Sequence, residues 1–126
     1  MKQAIITTQE AANRYCELAK QNKWTEILDE LCGQDLMNKE PEHVIARGIQ
    51  PTTKGLDAIK AKGDANRKMI EEIHSQHCSA PLVAGNFFTV VLSRDITLKG
   101  KPRMNLEEIA IFELKDGKII SEQFFY

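Results

Sequence analysis

Two glutamates near the end of the chain, Glu108 and Glu122, come closest to a chemical site by residue type and spacing. They lie in the stretch MNLEEIAIFELKDGKIISEQFFY, Met104 to Tyr126. Its two apolar runs meet at Lys115-Asp116-Gly117 and read as a β-hairpin. Two carboxylates on one otherwise apolar face cannot both ionise cheaply, because desolvation and mutual repulsion each favour the neutral acid. A neutral acid beside a carboxylate can donate to and accept from a ligand carbonyl or enol, as proton-transfer chemistry needs. The alternative is that one or both point to solvent, or are satisfied by Arg94, Arg103 or Lys118.

Whether the pair shares a face depends on the turn. A two-residue type I′ turn at Asp116-Gly117 sets Lys115 opposite Lys118; a three-residue loop with Gly117 as a left-handed bulge sets Leu114 opposite Lys118. In the bulged register Glu108 opposes Phe124 and Ala110 opposes Glu122. The carboxylates are then diagonal neighbours, roughly 5.5–8 Å apart. The inward face becomes Leu106, Glu108, Ala110, Phe112 and Leu114 against Ile120, Glu122, Phe124 and Tyr126. A one-residue slip turns every side chain around, so the functional reading rests on the bulged loop.

The elements that must position this hairpin begin with helices. Thr7-Thr8-Gln9-Glu10 holds a Thr-x-x-Glu capping box, and Ala11, Tyr15, Leu18 and Ala19 follow at helical spacing, predicting a helix over about residues 8–21. Trp24, Ile27, Leu28 and Leu31 form a second stripe, with Gly33 suited to end it. Trp24 reads as a packing anchor rather than a ligand platform. Short strands are expected at Asp35–Lys39 and His43–Ile49, the first ended by Glu40-Pro41. Thr53 is a reasonable N-cap for a third helix reaching Ile73. Strands at His74–Val83 and Phe87–Leu98 then precede the hairpin, with turns at Ala84-Gly85-Asn86 and Lys99–Pro102. Helices first and a meander of antiparallel strands afterwards give an α+β layout whose sheet curls under the helices.

Phe88, Val90 and Leu92 alternate on the long strand, and Met104, Phe112, Phe124 and Tyr126 add apolar surface from the hairpin. Such a face either lines a pocket for a small apolar ligand or fills itself with side chains. Val91, Ile109, Ile111 and Phe125 make the opposite face apolar too, which points to a two-fold homodimer through the outer sheet face. Tyr15 sits on the inward stripe of its helix, where a buried hydroxyl wants a partner. His74 and His77 face opposite sides of one strand and cannot chelate together, and no carboxylate stands at ligand spacing from His43, so no metal is expected. His74 remains a candidate acid or base for the pocket, with an ordinary structural histidine as its alternative. No phosphate loop, dinucleotide fingerprint or catalytic triad is present, and no cofactor is expected.

Composition narrows the classes further. The chain of 126 residues fits a single domain, 1–126, with one core. Its 17 basic and 18 acidic residues give a net charge of −1 without a basic stripe, which disfavours nucleic acid and anionic membranes as partners. No apolar run approaches the ~20 residues needed to span a bilayer, and no signal-peptide core is visible. Cys16, Cys32 and Cys78 match neither a zinc spacing nor a disulfide framework, so reduced thiols and a cytoplasmic location are expected.

The order of elements resembles the nuclear transport factor 2-like superfamily, the curved-sheet cone shared by steroid Δ-isomerases and SnoaL-type polyketide cyclases. The resemblance spans nearly the whole chain. It is carried by Arg14-Tyr15-Cys16-Glu17-Leu18, Gly55-Leu56-Asp57-Ala58-Ile59, Asp116-Gly117-Lys118-Ile119-Ile120 and the closing Glu122-Gln123-Phe124-Phe125-Tyr126, the last typical of a SnoaL-like subgroup. It implies a cone-shaped, mostly antiparallel sheet with three N-terminal helices on its concave side. By the same resemblance Tyr15 falls at the oxyanion-hole tyrosine of ketosteroid isomerases, and Glu40 at their proton-shuttling aspartate. Their protonated aspartate, a case known for a carboxyl kept neutral by an apolar site, aligns with Ala110, leaving Glu108 two residues away to supply the group. The implied function is an acid-base isomerase or cyclase for a compact apolar carbonyl compound. The competing reading is a non-enzymatic ligand-binding or interaction domain with structural glutamates.

Overall fold

In the computed structural model, which describes residues 5–126, the capping box forms as the sequence predicts. Thr7 Oγ1 accepts from the Glu10 amide at 3.1 Å, and Glu10 Oε1 accepts from the Thr7 amide at 2.9 Å. They open α1 (Thr8–Lys20), which buries Ala11, Ala12, Tyr15, Cys16, Leu18 and Ala19. Helix α2 (Trp24–Leu31) buries Ile27, Leu28 and Leu31. It does not end on Gly33: Cys32 is already extended and pairs with Ile119, so the chain passes directly into β1 (Cys32–Lys39). Sheet pairing, rather than a glycine cap, ends this helix.

The expected strand at His43–Ile49 is a 3₁₀ helix, Glu42–Arg47. Pro41 at φ −60° accepts from the Val44 amide, and Gly48 at φ 75° closes the turn. Val44 is the only buried residue of that segment, so it has no alternating face to hold a strand. Thr53 is taken by β2 (Thr52–Lys54), which pairs with β1, and α3 (Leu56–Lys68) starts after Gly55 instead. It also ends sooner than expected, because Ile70 already pairs with Leu98 in β3 (Ile70–Cys78). The strand expected at His74–Val83 divides at Ser79–Pro81, and β4 (Leu82–Ala84) follows. Proline has no N–H for the ladder.

Strands β5 (Phe87–Leu98), β6 (Arg103–Lys115) and β7 (Lys118–Phe125) complete a seven-stranded sheet. Its order is β2-β1-β7-β6-β5-β3, with β4 also on β5, and every pairing is antiparallel except β1 with β7. The fold is α+β with a curved, open sheet, although α3 follows two strands rather than preceding the sheet. Helices cover one face. There Tyr15 packs against Phe112 at 4.5 Å and Phe88 at 5.9 Å between ring centres, beside buried Leu36, Val90, Ala110 and Ile119.

The closing hairpin departs from the bulged-loop expectation. Asp116 at φ 51° and Gly117 at φ 77° make a two-residue turn, with Lys115 opposite Lys118. An extra residue enters further in: Leu114 pairs with Ile119 but Glu113 pairs with Ser121, leaving Ile120 as the bulge. The two-residue turn sets Ile119, rather than Ile120, opposite inward Leu114, and the bulge then reverses parity so that Glu122 is nevertheless inward. Glu122 faces Phe112 and Ala110 faces Phe124, which places Glu108 four residues along β6 from the partner of Glu122. The two glutamates share a face without being diagonal neighbours.

The turn makes a direct test. A Cβ on Gly117 would stand 2.5 Å from Ile5 Cγ2 on a backbone already at positive φ. Gly117→Ala should therefore lower stability in urea unfolding by about 1–2 kcal/mol. Asp116→Asn should be neutral or stabilising, because asparagine tolerates the same left-handed geometry.

Candidate functional site

Between the three helices and the inward sheet face lies a cavity of about 190 Å³. Its polar wall includes Asn38, Glu40, Lys62, Arg67, Arg94, Glu108 and Glu122; Tyr15, Trp24, Leu92 and Phe124 contribute to the apolar part. Adjacent strands supply the acids: Glu40 follows the end of β1, Glu122 is on β7 beside it, and Glu108 is on β6. Lys62 comes across from α3 and Arg94 from β5.

A chain of bonds orders this wall. Lys62 Nζ donates to Asn38 Oδ1 at 2.8 Å, and Asn38 Nδ2 donates to Glu122 Oε1 at 2.9 Å. Because an ammonium can only donate, Lys62 fixes which end of the Asn38 amide faces Glu122. Lys62 also stands 3.8 Å from Glu40 Oε1, and the Tyr126 hydroxyl donates to Glu40 Oε2 at 2.8 Å.

Burial sets the proton affinities. Glu108 is pushed up to about 7 by desolvation and then by the Glu40 carboxylate, against the pull of Arg94. Glu122 is also pushed up to about 7, by desolvation and Glu40, while the Asn38 bond and Lys62 oppose the rise. The neighbour common to both is Glu40, as their separation along the hairpin requires. Burial holds the Tyr15 hydroxyl firmly neutral, with Glu122 and Glu108 adding to the rise. The wall thus presents two carboxyls titrating near neutrality and a phenol that can donate.

A sequence model of the SnoaL-like domain matches residues 6–126. The chain belongs to the SnoaL-like family. Among solved structures, this SnoaL-like chain is similar to a candidate SnoaL-like polyketide cyclase from Mesorhizobium loti. The two share 25% identity with a TM-score of 0.86, over 96% of this chain and 100% of that one. It is also similar to a nuclear transport factor 2-like protein of unknown function from Burkholderia pseudomallei (15% identity, TM-score 0.79, 96% and 92% covered). A third is a protein with a ketosteroid isomerase-like fold from Catenulispora acidiphila, in complex with trimethylamine (20% identity, TM-score 0.72, 95% and 87% covered). The last two likenesses show the fold alone. No curated protein matches the chain.

The SnoaL-like frame brings together Tyr15, Glu40, Glu108, Glu122, Leu92 and Phe124 of the residues singled out from sequence. Tyr126 reaches the site through Glu40. His74 does not enter: its ring is held by Glu72 at 2.6 Å and Thr97 at 2.8 Å. Phe88, Val90 and Phe112 are spent in packing, at 1%, 1% and 0% exposure, and do not line the cavity. Met104 pairs with Ile96 and stays exposed. Trp24 packs edge-on against Tyr15 and the core, as expected of an anchor, and in addition lines the cavity with Arg94 over its ring. Asn38, Lys62 and Arg94 were missed as site residues. Lys62 lies in the polar middle of α3, and Asn38 in a short strand whose partner is unknown without topology. Arg94 gave a signal, since it shares the parity of Leu92 on an inward-facing strand.

Raised carboxyl values carry a sign for stability. The native state holds protons that an unfolded glutamate, near ~4.3, has already lost. The resulting stabilisation is full below about pH 4 and is lost as pH rises through about 7. Stability should fall between pH 5 and pH 8 by on the order of 2–3 kcal/mol per carboxyl, and Glu122→Gln should flatten that slope. In carbon-13 titrations both carboxyls should move near neutrality, with Glu40→Gln lowering both. Ordinary glutamate values for both would refute the arrangement.

Proposed function

We propose that this chain binds a compact apolar carbonyl compound and acts on it as an acid-base isomerase or cyclase. The observation that carries this is the placement of Glu40, Glu108 and Glu122 around one cavity, with two of them titrating close to neutrality. In that arrangement Glu40 takes the proton next to the substrate carbonyl. The developing enolate oxygen accepts from a protonated carboxyl, Glu122 or Glu108, and from the Tyr15 hydroxyl, and Glu40 returns the proton at a second carbon. Leu92 and Phe124 cover the apolar part of the ligand. The cavity is smaller than the ~300–1,000 Å³ common for drug-sized ligands, which favours a compact substrate.

A second reading has its own support. Asn38 and Lys62 engage Glu122, and Tyr126 engages Glu40, so the same acids can be structural parts of a binding domain. Turnover separates the two. Conversion of cyclohex-3-enone to cyclohex-2-enone, followed by ultraviolet absorbance, should exceed the buffer rate and fall about 10²–10⁴-fold in Glu40→Gln. Binding of such ketones without turnover would favour the second reading.

We also infer a homodimer through the outer sheet face. Val91, Ile109 and Phe125 form a row across β5, β6 and β7, each more than 40% exposed, with Ile111 alongside. That continuous apolar row supports a self-complementary contact. Light scattering after size exclusion should give twice the chain mass for the parent and the single-chain mass for Ile109→Lys; a monomeric parent at tens of micromolar would count against it. Three cysteines, odd in number and spaced without a disulfide framework, support a reducing compartment, the cytoplasm. No helix among the described residues is long and apolar enough to cross a membrane.

A further inference from the structure

Arg94 is the part of the cavity wall that the acid-base reading leaves unused. Its guanidinium carbon stands 5.7 Å from the centre of the Trp24 ring, and both side chains line the cavity. Nε and Nη2 are buried with no hydrogen-bond partner among the described residues. Burial works against its charge, and Glu108 acts on it through charge without bonding either nitrogen. The other cations on the wall are engaged: Lys62 by Asn38, and Arg67 by Asp64 and Thr25. Dry, unpaired N–H groups on a cation are costly, and on a cavity wall they favour an acceptor within reach.

Elsewhere in this chain the same two nitrogens have a consistent use. Arg14 grips Glu30 through Nε at 2.6 Å and Nη2 at 2.9 Å. Arg103 grips Asp95 through Nε at 2.8 Å and Nη2 at 2.6 Å. Nε and Nη2 form the flat edge of the guanidinium whose spacing matches the two oxygens of a carboxylate. On Arg94 neither nitrogen of that edge bonds a side chain among the described residues.

We propose that Arg94 receives a carboxylate of the ligand, so that the compounds taken by this cavity are compact apolar carboxylates. The assignment rests on reading the cavity as a ligand site and names the class of that ligand. Since the side chain already lines the cavity, rotation about its terminal torsions presents the Nε–Nη2 edge to a bound acid. Trp24 then covers the guanidinium and one face of the ligand, while the far end of the ligand reaches Glu40 and Glu122. A keto acid of this size satisfies both ends.

The chain has a single tryptophan, Trp24, so intrinsic fluorescence reports on this wall. The test titrates the whole chain with matched pairs, benzoate against benzamide and cyclohexanecarboxylate against its amide, with calorimetry as a second readout. The parent should bind the acid of each pair at least about ten-fold more tightly than the amide. Arg94→Met should remove that preference, with amide affinity held within about three-fold, while Lys101→Met, which removes an exposed cation outside the cavity, should keep it. Equal affinities within each pair in the parent would overturn the proposal, and that comparison needs no variant to fold. A preference that survives in Arg94→Met, or disappears in Lys101→Met, overturns it as well. If the amides bind and the acids do not, the carboxylate assignment fails while the pocket stands. If no member of either pair binds, both fail.

Discussion

One unpaired residue, Ile120, decides which way the last strand looks. The two-residue turn at Asp116-Gly117 on its own would carry Glu122 to the outer surface, because side chains alternate along a strand. The bulge at Ile120, between the Leu114–Ile119 and Glu113–Ser121 pairs, adds a residue to β7 and reverses that parity. Ile119 before the bulge and Glu122 after it both face inward as a result. Everything said of the site depends on that reversal, since Glu122 lines the cavity and accepts the Asn38 bond only from the inner face.

Once inward, the carboxyls are governed by desolvation. An isolated buried carboxylate is too costly to keep, so it takes up a proton or finds a partner. Glu122 does some of each: Asn38 bonds it, yet burial still lifts it to about 7. Glu108 reaches the same range with Arg94 opposing the rise. Glu40 adds its charge to both, which makes it the electrostatic centre of the cavity although it lies just beyond a strand end. Lys62 and Tyr126 hold it there. A wall built in this way supplies donors and acceptors at one pH, as both acid-base chemistry and recognition of a polar ligand require.

Much of the frame was legible in the chain itself. The Thr7–Glu10 box fixed the start of α1, and the stripe from Trp24 to Leu31 fixed α2, because capping and helical spacing are local properties. Strand β5 ran over the predicted Phe87–Leu98. Where local signals competed with pairing, pairing prevailed. Cys32 and Gly33 joined β1, and Thr53 joined β2 instead of capping α3. His43–Ile49 failed as a strand for the opposite reason, having a proline before it, a left-handed glycine within it and one buried side chain.

The site divides along the same line. Sequence by itself determined the residue types at stake: an inward tyrosine on the first helix, two glutamates in an apolar hairpin and a third before Pro41. Only the tertiary structure decided which of them meet. It separated Glu108 from Glu122 along the sheet and put Glu40 near both. It withdrew His74 into a contact with Glu72 and Thr97, and added Asn38, Lys62 and Arg94. The physical reason is that residue type and periodicity are written into adjacent positions. A bulge, and the helix that crosses above it, depend on contacts between residues far apart in the chain.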